Sequence, residues 1–211
     1  MSRANNSVTA VICASLLLAG VAIAESPPVI DSSPSTVVEE TAKLLDQSIE
    51  GRRDELRQDK AALYELIDEI LLPRFDRRYA AQLVLARHWR TASEEQRDRF
   101  INAFYNNMMR LYAEAVLEFN IGRMDVFPFR GDATKKRVKV KTTMRLDDGT
   151  KVPVNYGLVR RDTGWKMFDV EIENISYVRN FKAELNTEIQ VEGLDDVIAR
   201  LEAKYNDSAA Q

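Results

Sequence analysis

The chain has 211 residues, with 30 Lys and Arg against 33 Asp and Glu, one histidine and one cysteine. A net charge of −3 argues against nucleic acid as a general partner, and one cysteine leaves no internal disulfide and no multi-cysteine metal site. The length suits one ordinary domain with its own core.

Residues 1–24 read as a secretion signal that is removed. Arg3 is their only charge, Val8 to Ala24 is almost unbroken apolar or small, and Ala22-Ile23-Ala24 supplies the small-x-small pattern of a cleavage site. Ser15 and Gly20 interrupt the stretch, which is shorter than the roughly 20 apolar residues of a membrane helix. Cys13 lies within it and lacks the preceding leucine of a lipidation motif. Cleavage after Ala24 leaves residues 25–211 without cysteine and with a net charge of about −4.

Residues 25–34 (ESPPVIDSSP) carry three prolines and three serines and read as a flexible leader before one domain over 35–206. Val38, Leu44, Leu45, Ile49 and Leu56 recur at near-helical spacing to about Gln58; Leu63, Leu66, Ile67, Ile70 and Leu71 form a second stripe that Pro73 stops. Asp76 can cap a third helix carrying Tyr79, Leu83, Val84 and Arg87. Ser93 and Gln96 form a capping box that opens a helix to about Phe119. Its apolar side holds Phe100, Ile101, Phe104, Tyr105, Met108, Leu111, Tyr112, Ala115 and Val116, wide enough to be buried on two sides.

After Gly122 the period changes to two. An edge strand is expected near Met124 to Phe129. Val138, Val140, Thr142, Met144 and Leu146 alternate with polar residues, turn at Asp147-Asp148-Gly149, and return as Val152, Val154, Tyr156 and Leu158. A second turn at Arg161-Asp162-Thr163-Gly164 leads into Trp165 to Ile172. Two helices follow, about Ser176 to Gln190 and from Leu194 past Tyr205, with 207–211 as a disordered tail. Helices, then an antiparallel meander of about four strands, then helices indicate an α+β fold with a curved sheet wrapped on a helical layer.

Enzyme chemistry finds little purchase. His88, the one histidine, stands beside Trp89 near a helix end, where a capping or surface role is commoner than a base. Zinc-ligand spacing, a Gly-rich phosphate loop and a nucleophile elbow are absent, and Asp147-Asp148-Gly149 suits a turn better than a calcium loop. The rival reading is a small-molecule enzyme of isomerase or dehydratase type, or a metabolite binder, on the same fold. Asp169 is its candidate acid, but it alternates with Phe168 and Val170 and is expected to point away from the apolar face. No catalytic residue, metal or cofactor is expected.

An ordered set of motifs resembles the MlaC (toluene tolerance) family: Leu71-Leu72-Pro73-x-Phe75-Asp76, Tyr79-Ala80-x-x-Leu83-Val84-Leu85, Trp89-x-x-Ala92-x-x-x-Gln96, Phe100-x-x-x-Phe104 with Leu111-Tyr112, Trp165-x-x-x-Asp169-Val170, Glu173 through Phe181, and Gly193-Leu194-Asp195-Asp196. The set runs from about Ser35 to Tyr205. Family members often have glycine where this chain has Ala86 and Asn174.

The resemblance implies a nuclear-transport-factor-2-like cone, extended by N- and C-terminal helices, with an apolar cavity between sheet and helices. It implies a monomeric, non-enzymatic periplasmic carrier of phospholipid. The implied partners are the substrate-binding ring protein of an inner-membrane Mla transporter complex and an outer-membrane Mla lipoprotein complex. The expected lipid contacts are Leu83, Phe100, Phe104, Met108, Leu111, Tyr112, Val138, Val140, Thr142, Met144, Val154, Tyr156, Leu158, Phe168, Val170 and Ile172. The same residues would serve a filled core, so cavity and core both remain open. Lys135, Lys136, Arg137, Arg160 and Arg161 border strand ends, either as a solvated edge that discourages strand pairing or as a docking surface for acidic partners or anionic headgroups.

Overall fold

A computed structural model describes residues 33–118, 124–146 and 148–209. The expected signal and residues 25–32 of the leader lie outside the described residues. Helices α1 (Pro34–Ile49), α2 (Arg53–Gln58) and α3 (Lys60–Leu71) come first; a short 3-10 turn at Leu72–Arg74 leads to α4 (Arg77–Leu85), α5 (His88–Thr91) and the long α6 (Glu94–Glu118). Strands β1 (Met124–Val126), β2 (Arg137–Arg145), β3 (Lys151–Arg161), β4 (Gly164–Ile172) and β5 (Ile175–Ser176) form one antiparallel sheet in sequential order. Helices α7 (Tyr177–Glu192) and α8 (Leu194–Ala209) close the described chain.

The local signals act as their chemistry requires. The Tyr79 amide donates to Asp76 Oδ1 at 2.9 Å, capping α4. The Gln96 amide donates to Ser93 Oγ at 3.1 Å while the Ser93 amide donates to Gln96 Oε1 at 2.9 Å, so the capping box closes in both directions. Several boundaries shift. The first expected helix is split, because Gly51 adopts a φ of +74° between α1 and α2. The edge strand β1 ends at Val126, a fifth two-residue strand follows the expected four, and α8 continues to Ala209, into the segment expected as a tail.

Burial explains the breadth of the apolar side of α6. Phe100 and Phe104 enter a helical core with Val84, Leu85, Ile189 and Ile198, where α4, α6, α7 and α8 meet. Tyr105, Met109, Ala113 and Leu117 enter a second core with Ile49, Leu56, Leu63 and Ile67. A third cluster joins Val38 of α1 to Val140, Leu158, Trp165 and Met167 on the sheet. The helix is therefore covered on two faces, as its composition demands.

Two turns use backbone that favours glycine. Ala86, closing α4, has φ +50° and ψ −112°; Glu173 and Asn174, between β4 and β5, have φ +50° and +68°. At Ala86 and Asn174 these dihedrals agree with the glycine that the resemblance leads one to expect there.

Candidate functional site

The register of the sheet decides which side chains share its inner face. Val138, Val140, Thr142 and Met144 of β2 stand opposite Leu158, Tyr156, Val154 and Val152 of β3. Ile172 and Val170 of β4 continue that face opposite Val154 and Tyr156. The register then slips between Gly157 and Leu158, leaving Phe168 as an extra residue: Gly157 pairs with Asp169, and Leu158 pairs with Met167. This bulge turns Phe168 out of the inner face and substitutes Met167. The Phe168 ring instead meets Tyr79 edge-on, with centroids 5.1 Å apart at 79°, against the helical core.

Between this inner face and the helices lies a cavity of about 230 Å³. Met144, Val152, Val154, Tyr156, Met167, Val170 and Ile172 form its sheet wall. Val38, Thr41, Ala42 and Leu45 of α1, with Leu71, Phe75, Tyr105, Met108, Met109 and Val116, form the helical wall; Met124 and Tyr177 complete it. Five of the six methionines line it, the exception being Met1. Unbranched thioether side chains adapt to irregular apolar ligands, which sets this wall apart from a rigid core of branched residues.

Polar atoms in the wall are few and mostly satisfied. Thr41 Oγ1 donates to the Val37 carbonyl at 2.6 Å. The Tyr105 hydroxyl donates to Asp68 Oδ1 at 2.8 Å, and burial, followed by that hydrogen bond and the Asp68 charge, raises the phenol well above its ordinary range. The Tyr156 hydroxyl is pushed up to about 12 by burial alone, and its contact among the described residues is the Met124 sulfur at 3.6 Å.

Of the expected lipid contacts, Met108, Met144, Val154, Tyr156, Val170 and Ile172 stand on the cavity wall. Phe100 and Phe104 stand in the helical core, with the half-buried Leu83 and Phe168 packed against it. Val138, Val140 and Leu158 pack with Val38 and Trp165 in the third cluster, and Thr142 Oγ1 donates to the Val154 carbonyl. The side chains of Leu111 and Tyr112 lie outside the described ones. The cavity wall also holds residues outside the expected set: the α1 residues, Leu71, Phe75, Tyr105, Met109, Val116, Met124, Val152, Met167 and Tyr177. Clustering of methionine on both the long helix and the strands was the one signal that could have found some of them.

The remaining candidates take structural posts. Asp169 accepts from Ser176 Oγ at 2.6 Å and from the Val178 amide at 3.0 Å, holding the start of α7; burial raises its carboxyl, and hydrogen bonds oppose that rise. It is turned from the inner face. His88 Nε2 accepts from Arg87 Nε at 3.3 Å, with desolvation and then Arg87 lowering its pKa. Arg161 Nε donates to Asp76 Oδ2 at 2.6 Å, and its guanidinium covers the Tyr79 ring at 4.9 Å. Arg160 donates to the Ala133 carbonyl at 2.9 Å and lies over Trp165. Lys135, Lys136 and Arg137 are exposed.

The family model for MlaC protein matches residues 39–203. The chain belongs to the MlaC family. Toluene tolerance protein ttg2D of Pseudomonas putida is 26% identical over 164 residues, covering 77% of this chain and 76% of that protein. The intermembrane phospholipid transport system binding protein MlaC of Haemophilus influenzae is 21% identical over 181 residues, covering 82% and 83% of the two chains. A solved phospholipid-binding protein from Ralstonia solanacearum, determined in complex with a phospholipid, superposes with a TM-score of 0.76 at 23% identity, over 85% of this chain and all of that one. That likeness establishes the MlaC fold for the α+β arrangement of helices and five-stranded sheet.

Proposed function

We propose that this MlaC-family protein is a non-enzymatic periplasmic carrier of phospholipid. The observation that carries this reading is the methionine-rich apolar cavity between the sheet and α1, α3 and α6. Apolar pockets with few polar groups accept apolar ligands. The signal-like residues 1–24 and the relatives named for phospholipid transport and binding support the compartment and the cargo. Inner- and outer-membrane Mla complexes are the partners between which lipid passes.

Magnitudes restrict the mechanism. Each methylene withdrawn from water gains about 0.8 kcal/mol, so two chains of about 15 methylenes gain roughly 24 kcal/mol in a fully apolar site. A bilayer offers about the same, which forbids free passage through water yet demands little preference from the carrier. The cavity must also grow on loading. An apolar void of about 150 Å³ holds benzene, and the present 230 Å³ is too small for two such chains. Adaptable methionines and the separate α1 wall supply the means of expansion, and lipid enters while the protein is docked on a partner complex.

Mass spectrometry of lipid extracted from freshly purified protein tests the reading. About one mole of phospholipid per mole of protein is expected. Protein that carries none, and takes none up from its transporter, would overturn it.

A further inference from the structure

Strand β2 pairs with β3 along its length, but β1 covers it only from Thr142 to Met144. The chain then leaves the sheet. The Phe127 amide still donates to the Lys141 carbonyl at 3.1 Å on this side, whereas the Arg160 amide reaches the Lys136 carbonyl on the other. Alternation along the strand therefore points the amide and carbonyl of both Arg137 and Lys139 away from β3, toward an open edge. Among the described residues, none bonds to those groups.

A groove runs between this edge and the segment 127–131. Phe127 lies along it with 48% of its surface exposed. The segment has a defined shape: the Phe129 amide reaches Ser35 Oγ at 3.4 Å, and its ring covers Gly131, where a Cβ would approach to 2.6 Å. The surroundings are basic in a protein whose net charge is −3. Arg130, Arg137 and Lys141 are exposed here; the carboxylates Asp125, Asp132 and Glu171 are already engaged by Arg145, Thr134 and Lys139.

We propose that this edge receives an extended acidic peptide segment of a partner protein, added as a strand beside β2. Arg137 and Lys139 offer about four main-chain hydrogen bonds to such a strand. The glutamates of the peptide would share the outer face with Phe127, Arg137 and Lys141, their methylenes on the ring and their carboxylates on the cations. Its alternate apolar side chains would fall beside Val138 and Val140. Charges alone would merely blunt an edge; the exposed aromatic and the groove give this one a binding surface. The inference goes beyond lipid carriage and stands apart from it.

Backbone amide exchange of the purified secreted protein, followed by NMR with an acetylated, amidated octapeptide alternating Glu with Val and Thr, tests the proposal. At ten times its Kd the peptide slows exchange at Arg137 and Lys139 about tenfold. Charge reversal in the double variant Arg137→Glu, Lys141→Glu weakens the peptide at least about fivefold, as does Phe127→Ser, with unchanged Tm verifying the fold. Equal binding of the Lys-for-Glu peptide, or protection confined to other amides, would overturn it. So would slow exchange at Arg137 and Lys139 before peptide is added, which would mean that the protein's own N-terminal residues or a second copy fill the edge.

Discussion

Tyr105 donates its hydroxyl to Asp68 at 2.8 Å where the cavity wall meets the second core, built on α1, α2, α3 and α6. The residue is 2% exposed, and burial keeps the phenol protonated throughout the physiological range. Tyr105→Phe keeps the ring and deletes the donor, so stability should fall by about 1–2 kcal/mol. Thermal unfolding would then shift down by roughly 2–8 °C, with bound lipid unchanged because the hydroxyl is committed to Asp68. An unchanged Tm would show that this bond contributes nothing.

Ala86→Gly should stabilise the protein. With φ +50° and ψ −112°, the alanine Cβ is strained by about 1–3 kcal/mol, which exceeds the 0.5–1 kcal/mol entropy cost of glycine. A gain of about 1 kcal/mol, or roughly 2–4 °C in Tm, is expected. A fall in Tm would mean that the turn relaxes around alanine without cost.

Glu171 should dominate the acid limb of stability on the outer sheet face. Its side chain is 9% exposed and accepts from Lys139 Nζ at 2.8 Å, Asn155 Nδ2 at 3.1 Å and Arg179 Nη2 at 3.2 Å. The Lys139 hydrogen bond first holds its pKa below 4.5, against burial. A lowered folded pKa places the stabilisation above pH 4.5 and removes it as pH falls toward the folded value. Asp169 has the opposite sign, since burial raises its carboxyl above 3.8. Glu171→Gln should therefore flatten the loss of Tm between pH 5 and pH 3; an unaltered pH profile would rule out this role.

The sequence made the fold legible wherever a local rule acted alone. Asp76, Ser93, Gln96 and Pro73 set helix ends through their own chemistry, and period-two alternation placed β2 and β3. Phe168 shows where that reading stops. A bulge opposite Gly157 depends on how β4 meets β3, which no local period encodes, and it reversed the face of one aromatic residue. The apolar side of α6 likewise revealed two-sided burial without saying which side met a void. Phe100 and Phe104 went to the helical core, and Met108 went to the cavity.

Tyr156 should contact the cargo directly. Its buried hydroxyl meets only a thioether, a weak acceptor, among the described residues. An ester carbonyl entering the cavity would be a better one. Tyr156→Phe should leave the empty protein at least as stable, yet weaken lipid retention by about tenfold through loss of roughly 1–1.5 kcal/mol. Equal retention in delipidated and reloaded protein would place the ester elsewhere.

Val170 and Phe168, two residues apart on β4, separate cavity from core. Val170 lines the void, so Val170→Phe fills space that is empty and should raise the stability of lipid-free protein by about 0.5–2 kcal/mol. The same ring occupies volume needed by acyl chains, so co-purified phospholipid should fall to less than about half. Phe168, half-buried, packs on Tyr79 against the helical core, so Phe168→Ala should cost about 1–3 kcal/mol while the folded protein keeps its lipid. Measuring Tm and lipid content on both variants gives four outcomes with opposed signs. A destabilised Val170→Phe with full lipid would mean that Val170 belongs to a packed core and that the ligand lies elsewhere.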